Sequence, residues 1–407
     1  MIDVCATIFS FNQTREQERL LMKYRNMRTS PFVFLRATCH LFYQRAVEGL
    51  EQIEAPLGWC MGDMHLENFG SYKGDNRLAY FDLNDFDEAV LAPVSWDLLR
   101  FLASVLIGAK SIGIGANEAQ ELARAFLNSY QQVLSSGKSH WVERETSDGL
   151  IRNLLTSLKL RQRADFLDHR TIFQGSKRQL RIDGKKALPV SAKQEKMVRS
   201  FLKDFAKRQP NPDFFKPLDI ARRVAGNGSL GVERFIILVN GKGHTDGNYL
   251  LDLKQAVPSS LVPWLGTPQP HWGHEAERVV TLQKRMQAVS MAFLQPVEMH
   301  QQSYILRALQ PAEDRVTLDA ATSSLSDLRK VIQVMGEVVA SAQLRSSGRQ
   351  GSVSADALIE FAHSKSWKKP LLALASDTTR QLQKDWKQFC EAYDDGYFSP
   401  SRLSGKA

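Results

Sequence analysis

No CxxC pair occurs in the chain. Its four cysteines, Cys5, Cys39, Cys60 and Cys390, are scattered through 407 residues. That excludes a disulfide framework and a zinc site built on paired thiolates, and it points to a reducing compartment. Long apolar runs are missing too. The longest, FLASVLIGA at 101–109, falls well short of the roughly 20 residues that cross a bilayer. The opening MIDVCATIFSFNQTREQERL has no basic start leading into an apolar core, so no secretory signal is read there and a cytoplasmic location is expected. No repeat or low-complexity tract is present. What remains is ordinary globular composition, 43% hydrophobic and 24% charged, in a chain long enough for two or three lobes.

Charge is concentrated rather than spread. Between Ile151 and Arg223 there are 19 Lys/Arg against 7 Asp/Glu, a larger surplus than the +9 of the whole chain. Such a stretch suits an anionic partner. The plainer reading is a set of solvated helix faces, because KQEKMVRSFLKDFAKRQ spaces Met197, Phe201, Leu202 and Phe205 as a helix does. Sparse aromatics and the lack of a nucleic-acid-binding motif favour the plainer reading.

The pattern predicts four regions. Residues 1–150 read as helical, with a helix over 32–50, a buried helix from Trp96 and another at 117–136, interrupted by the strands LGWC and RLAYFD. Residues 151–215 read as a basic helical connector ending at QPNPDFFKP. Residues 216–310 alternate strands with Gly-rich turns around a helix at 274–290. Residues 311–407 return to helix at 325–345, 353–364 and 370–394.

Two acidic segments carry the chemistry. In Gly62-Asp63-x-His65-x-x-Asn68 an aspartate precedes an asparagine by five positions, and Asp82 ends the apolar strand LAYFD fourteen residues later. Phosphoryl transfer needs such a set: one carboxylate for the acceptor hydroxyl, and an amide oxygen with a further carboxylate for the magnesium ions on the nucleotide phosphates. Asparagine ligates a hard cation without adding repulsion. Acidic loops closed by Asx turns are the competing structural reading. A second constellation lies at Gly226-Asn227-Gly228-Ser229-Leu230-Gly231. The strand-like VERFIILV follows it, whereas a dinucleotide fold would open a helix there, so a Gly-rich hairpin over phosphates fits better. Lys254, inside the apolar strand NYLLDLK, is either an edge-strand device or a buried cation for phosphate and a carboxylate. Glu277, or else Glu275, is the carboxylate that the next helix offers.

GDMHLEN with Asp82, Pro93 and Asp97-Leu98 resembles the catalytic core of aminoglycoside phosphotransferases and related kinase-like enzymes. GNGSLG, Lys254 and Glu277 resemble the Gly-rich loop, phosphate-pairing lysine and helix glutamate of the kinase small lobe. SPFVFLR, GDMHLENFG, FDLNDFDE and GNGSLG, in that order, also resemble a bacterial family known as domain of unknown function 2252, over most of the chain. The resemblance implies an α+β, protein-kinase-like two-lobe fold whose lobe order is circularly permuted. It implies ATP and Mg2+ as cofactors and Asp63 as catalytic base. Asn68 and Asp82 then bind metal, with Asp85 and Asp87 able to share that role, and Asp97 is structural. Gly226, Gly228, Ser229 and Gly231 cover the nucleotide, Lys254 pairs with phosphate and Glu277 with Lys254, and residues 307–309 form a hinge that meets adenine. The helix leading into the catalytic loop is either 325–345 or 32–50. His65 is read as a loop organiser. The expected activity is phosphotransfer from ATP to an unassigned acceptor. Two alternatives stand beside it: a kinase-like protein that binds nucleotide without turnover, and, because GDMH also resembles the first metallophosphoesterase signature, a two-metal hydrolase.

Overall fold

The computed structural model describes residues 2–309, 315–364 and 366–400. The fold is α+β, with long helices packed beside antiparallel sheets. The largest sheet has six antiparallel strands in the order Gln295–Met299, Gln302–Ala308, Tyr249–Gln255, Arg234–Val239, Pro217–Arg223 and Ala187–Leu188. The period-2 rule explains its two faces. Phe235, Ile237, Val239, Leu251 and Leu253 pack against Val198, Leu202 and Phe205 of the helix Ala192–Ala206. Ile236, Leu238 and Leu250 point the other way, toward Leu167 and Leu180.

Between 151 and 215 the chain is not helical throughout. Thr171–Gln174 and Lys177–Leu180 form a hairpin, and Ala187–Leu188 joins the large sheet. The turn carries Gly175 at φ 60°, and Gly-Ser between β-branched and apolar residues is a hairpin signal that the dense charge obscured. The helix expected over 32–50 is two helices, Pro31–Ala37 and Cys39–Glu51. Thr38 breaks it at φ −127°, ψ 47°, with its hydroxyl returned to the Phe34 carbonyl at 2.7 Å.

Apart from the short helix Arg163–Asp168, which packs on the large sheet, the remaining helices share one large core with two small sheets. Their pairing positions the acidic segments. Phe69–Lys73 and Ala79–Leu83 pair so that Phe69 faces Leu83 and Gly70 faces Asp82. The Asn84 N–H then reaches the Asn68 carbonyl at 3.0 Å. Consequently the loops before one strand and after the other, 61–68 and 84–89, leave the sheet side by side. No helix among the described residues is long and apolar enough to cross a membrane.

Candidate active site

The 61–66 loop is held against one helix. Within Ser95–Gly108, Asp97, Arg100 and Ser104 recur at helical spacing along a single face. Asp97 accepts the N–H groups of Met61 and Gly62 at 2.7 and 2.8 Å. One turn on, Arg100 binds Asp63 Oδ1 through Nε at 3.1 Å and Nη2 at 2.6 Å. Ser104 accepts the Leu66 N–H at 3.2 Å. Tyr43 donates to the Gly62 carbonyl at 2.6 Å. Gly62 has φ +80°, and a Cβ there would lie 2.3 Å from the Glu88 carbonyl oxygen, so only glycine passes. The polar stripe Asp97-Arg100-Ser104 was legible as polar residues at i, i+3 and i+7 in an otherwise apolar helix.

Burial sets the ionisation of this loop. It raises the Asp63 carboxyl, while Arg100 opposes the rise. It pushes Asp97 up to about 7, against the two N–H groups that favour the anion. It lowers His65 well below its usual range, helped by Arg36 and Arg100, so the ring is neutral near pH 7. His65 caps the short turn Leu66–Asn68 by accepting the Glu67 N–H on Nδ1 at 3.2 Å. The Asn68 amide nitrogen donates to the Asp63 carbonyl at 2.5 Å, which leaves its oxygen available to a hard cation.

The second acidic segment divides. Asp82 turns into the protein, where it accepts the Ala288 N–H at 3.0 Å and pairs with Arg345 at 3.3 Å. It is 2% exposed and does not line the cleft. Asp82 therefore holds strand to helix, and of the acids expected to bind metal in this segment it is Asp85 and Asp87 that face the cleft. Asp85 and Asp87 line the cleft, and Lys254 closes on both, in contact with Asp87 and 3.9 Å from Asp85. Burial disfavours the Asp85 anion, but Lys254, Arg307 and Arg234 outweigh it and hold the carboxyl below its ordinary pKa. Asp85 and Asp87, both expected from the sequence to share the metal role, are the members of this segment that face the cleft.

Glu277 does not meet Lys254. It accepts the Gly273 N–H at 2.8 Å, just ahead of its own helix, Glu275–Met286, which His274 caps, while Glu275 pairs with Arg278 at 2.7 Å. Lys254 is already neutralised by the aspartates, so the helix contributes through Arg278 instead. That guanidinium donates to the carbonyls of Asp87 and Ala89 at 2.8 and 2.6 Å.

The glycine turn lies directly over Asp63. Gly226, Gly228 and Ser229 line the same cleft as Asp63, Asn68, Asp85 and Asp87. A Cβ on Gly228 would lie 3.1 Å from the Arg36 carbonyl and 3.7 Å from Asp63 Oδ2. From above, Lys23 and Arg15 grip the Gly228 carbonyl at 3.1 and 2.5 Å. The Gly231 carbonyl accepts the Glu16 N–H at 2.9 Å. At 307–309, the N–H groups of Ala308 and Leu309 go to the carbonyls of Ala292 and Leu250 at 3.2 and 2.9 Å, so neither offers a donor to a base. The cleft widens beyond Asn68 and Asp85 into a cavity of about 440 Å³. Among the described residues, no three His, Cys, Asp or Glu side chains gather as a metal cage.

No curated protein and no solved structure matches the chain. A family model matches residues 15–392, and its description is an uncharacterized protein conserved in bacteria, domain of unknown function 2252. The chain belongs to that family.

Proposed function

We propose that the protein is a magnesium- and ATP-dependent phosphotransferase on a protein-kinase-like fold of permuted lobe order. The observation that carries this reading is the meeting of two distant segments in one cleft. Asp63, Asn68, Asp85 and Asp87 come from one, Gly226–Ser229 and Lys254 from the other, and Lys254 closes on Asp87 and Asp85. Strand order supports it as well: three strands in a meander, then the helix Glu275–Met286, then a hairpin whose second strand pairs back onto Tyr249–Gln255. That connection suspends the glycine turn and Lys254 above the acids.

Each residue then has a distinct task. Arg100 fixes one oxygen of Asp63, leaving Oδ2 toward the glycine turn to take the acceptor proton. Asn68 and Asp85 are the ligands for magnesium, with Asp87 beside them. Magnesium commonly takes one or two carboxylates and completes its shell with water and substrate phosphates, so these residues fit it without a protein cage. Bound there, the ion would supply charge neutralisation on the phosphates. Lys254 adds a fixed cation and the 226–231 backbone covers the phosphates. Magnesium-dependent release of ADP from ATP, measured for the wild type and for Asp63→Asn and Asp85→Asn, tests the assignment. Turnover that survives both substitutions would overturn it.

Nucleotide binding without turnover is favoured by one feature. Asp63 is held by buried Arg100 while the clamped glycine turn covers its other oxygen. Under that reading ATP raises the melting temperature and no ADP forms.

A further inference from the structure

Three arginines line the cleft beneath the glycine turn: Arg15, Arg36 and Arg315. Arg36 and Arg315 both pair with Glu67, at 2.9 and 2.6 Å. Arg15 forms no ion pair among the described residues. Its guanidinium lies 5.4 Å from the centroid of the Phe11 ring, and Nη1 donates to the Gly228 and Leu230 carbonyls at 2.5 and 2.9 Å. Neither Nε nor Nη2 bonds to a described residue. The acids that share the cleft are already held. Arg100 binds Asp63, and Lys254 closes on Asp85 and Asp87. Glu88 accepts the Ser260 N–H at 2.6 Å and the Ser259 and Ser260 hydroxyls at 3.0 Å, all on Oε2. Burial lowers Arg15 to about 10, with Glu88 and Asp87 opposing from beyond ion-pair distance, so the group stays cationic near neutral pH.

Local structure aims this arginine. It lies between the helices Val4–Phe11 and Gln17–Met27, where its N–H bonds the Asn12 carbonyl at 3.0 Å. The next N–H, that of Glu16, bonds the Gly231 carbonyl at 2.9 Å. Gly231, at φ +90°, leaves the room, because a Cβ there would lie 2.7 Å from Arg15 Cβ. Arg15 is thereby fixed to the glycine turn, with Gly228 between it and Asp63. The space below the turn is about 60 Å³, room for roughly four water-sized groups. That suits one phosphoryl group and not a whole nucleotide.

We propose that Arg15 is a phosphate-binding residue of this site, and that its Nε and Nη2 take the terminal phosphate of the nucleotide beside Asp63. A guanidinium fork matches two phosphate oxygens at once. A fixed cation at that point also stabilises the charge spread over the phosphoryl oxygens during transfer. Placing the terminal phosphate there rests on the phosphotransferase reading. Binding of a polyphosphate by Arg15 does not.

Calorimetry with magnesium at about 0.15 M salt tests this, with ATP, ADP and inorganic triphosphate as probes. Arg15→Gln keeps an amide donor for the Gly228 carbonyl and removes the charge. It weakens ATP and triphosphate binding about ten-fold or more, leaves ADP binding nearly unchanged and keeps the melting temperature. Unchanged ATP and triphosphate binding overturns the inference. So does an equal loss for ATP and ADP, or a loss that follows a lowered melting temperature, because either assigns Arg15 to the turn alone. Arg15→Lys, which keeps the charge without the fork, binds ATP with intermediate affinity. If Arg15→Gln does not fold, wild-type ATP affinity in Arg15→Lys overturns the inference instead. Arg15-dependent ATP binding without ADP formation retains Arg15 and rejects transfer. Arg15-dependent triphosphate binding in a protein that ignores ATP retains the phosphate contact and rejects the nucleotide. ATP turnover equal in wild type and Arg15→Gln rejects Arg15 and leaves the phosphotransferase reading standing.

Discussion

At the Asp63 end of the cleft four carboxylates meet cations: Arg100 on Asp63, Lys254 on Asp85 and Asp87, Arg36 on Glu67. At the far end Arg223, Arg234 and Arg307 gather on the buried Asp252. The balanced end is preorganised: its groups hold one another in place before any substrate arrives, as a site that works by positioning and electrostatics requires. The far end instead packs several guanidinium groups around one buried carboxylate.

The sharpest way to separate the two ends is Asp63→Asn. On the proposed assignment it removes the base while leaving the nucleotide contacts, so turnover should fall by about 10²–10⁴ with ATP binding nearly unchanged. A fall in binding alone would mean that Asp63 serves the nucleotide. Asp82→Ala comes next, because it strands Arg345 without its carboxylate. Denaturant unfolding should show a loss of roughly 3 kcal/mol, with the magnesium dependence of ATP binding retained. Asp85→Ala should show the opposite pattern, small in stability and large in magnesium response. Gly228→Val pushes a side chain between the Arg36 carbonyl and Asp63, and should lower turnover about a hundred-fold through misplacement while the fold melts normally.

A pH experiment probes the helix that holds the balanced end. The folded pKa of Asp97, about 7, lies above the ordinary 3.8, so the unfolded chain ionises first. Its contribution to stability is therefore fully present below about pH 4 and lost as pH rises toward about 7. Asp97→Asn should flatten that slope in melting curves taken across this window; an unchanged slope would assign it to other groups. The smallest effect belongs to Glu277→Gln. It weakens one hydrogen bond to the Gly273 N–H at a cost of about 0.5–1 kcal/mol and leaves turnover within about two-fold, because Lys254 is neutralised elsewhere.

The order of acidic loop, glycine turn and strand lysine was readable because each is a short local pattern: GDMHLEN, GNGSLG and a lysine among leucines. Their convergence was readable only through the resemblance, since 160 residues separate the halves and no local pattern spans that distance. The inward turn of Asp82 was hidden for a physical reason. A strand-terminal aspartate looks identical in sequence whether its side chain faces the cleft or the interior, and Arg345, which decides the matter, lies 263 residues away. Glu277 failed differently, because a glutamate in the first turn of a helix has a nearer partner in the backbone N–H just ahead of the helix cap, here that of Gly273. Arg100 and Arg278 were hidden among apolar neighbours, although the spacing of Asp97, Arg100 and Ser104 marked one helix face. The basic stretch was legible in charge but not in shape, and part of it lines the cavity.

The central claim is that Asp85 and Lys254, 169 positions apart in the chain, grip one phosphate–magnesium group. Calorimetric binding of ATP with and without magnesium, compared for the wild type, Asp85→Asn and Lys254→Met, addresses it most directly. Magnesium should tighten ATP binding in the wild type about ten-fold or more. Asp85→Asn should abolish that gain, and Lys254→Met should weaken ATP binding whether or not magnesium is present. A magnesium gain that survives Asp85→Asn, or ATP affinity indifferent to Lys254→Met, would contradict the account.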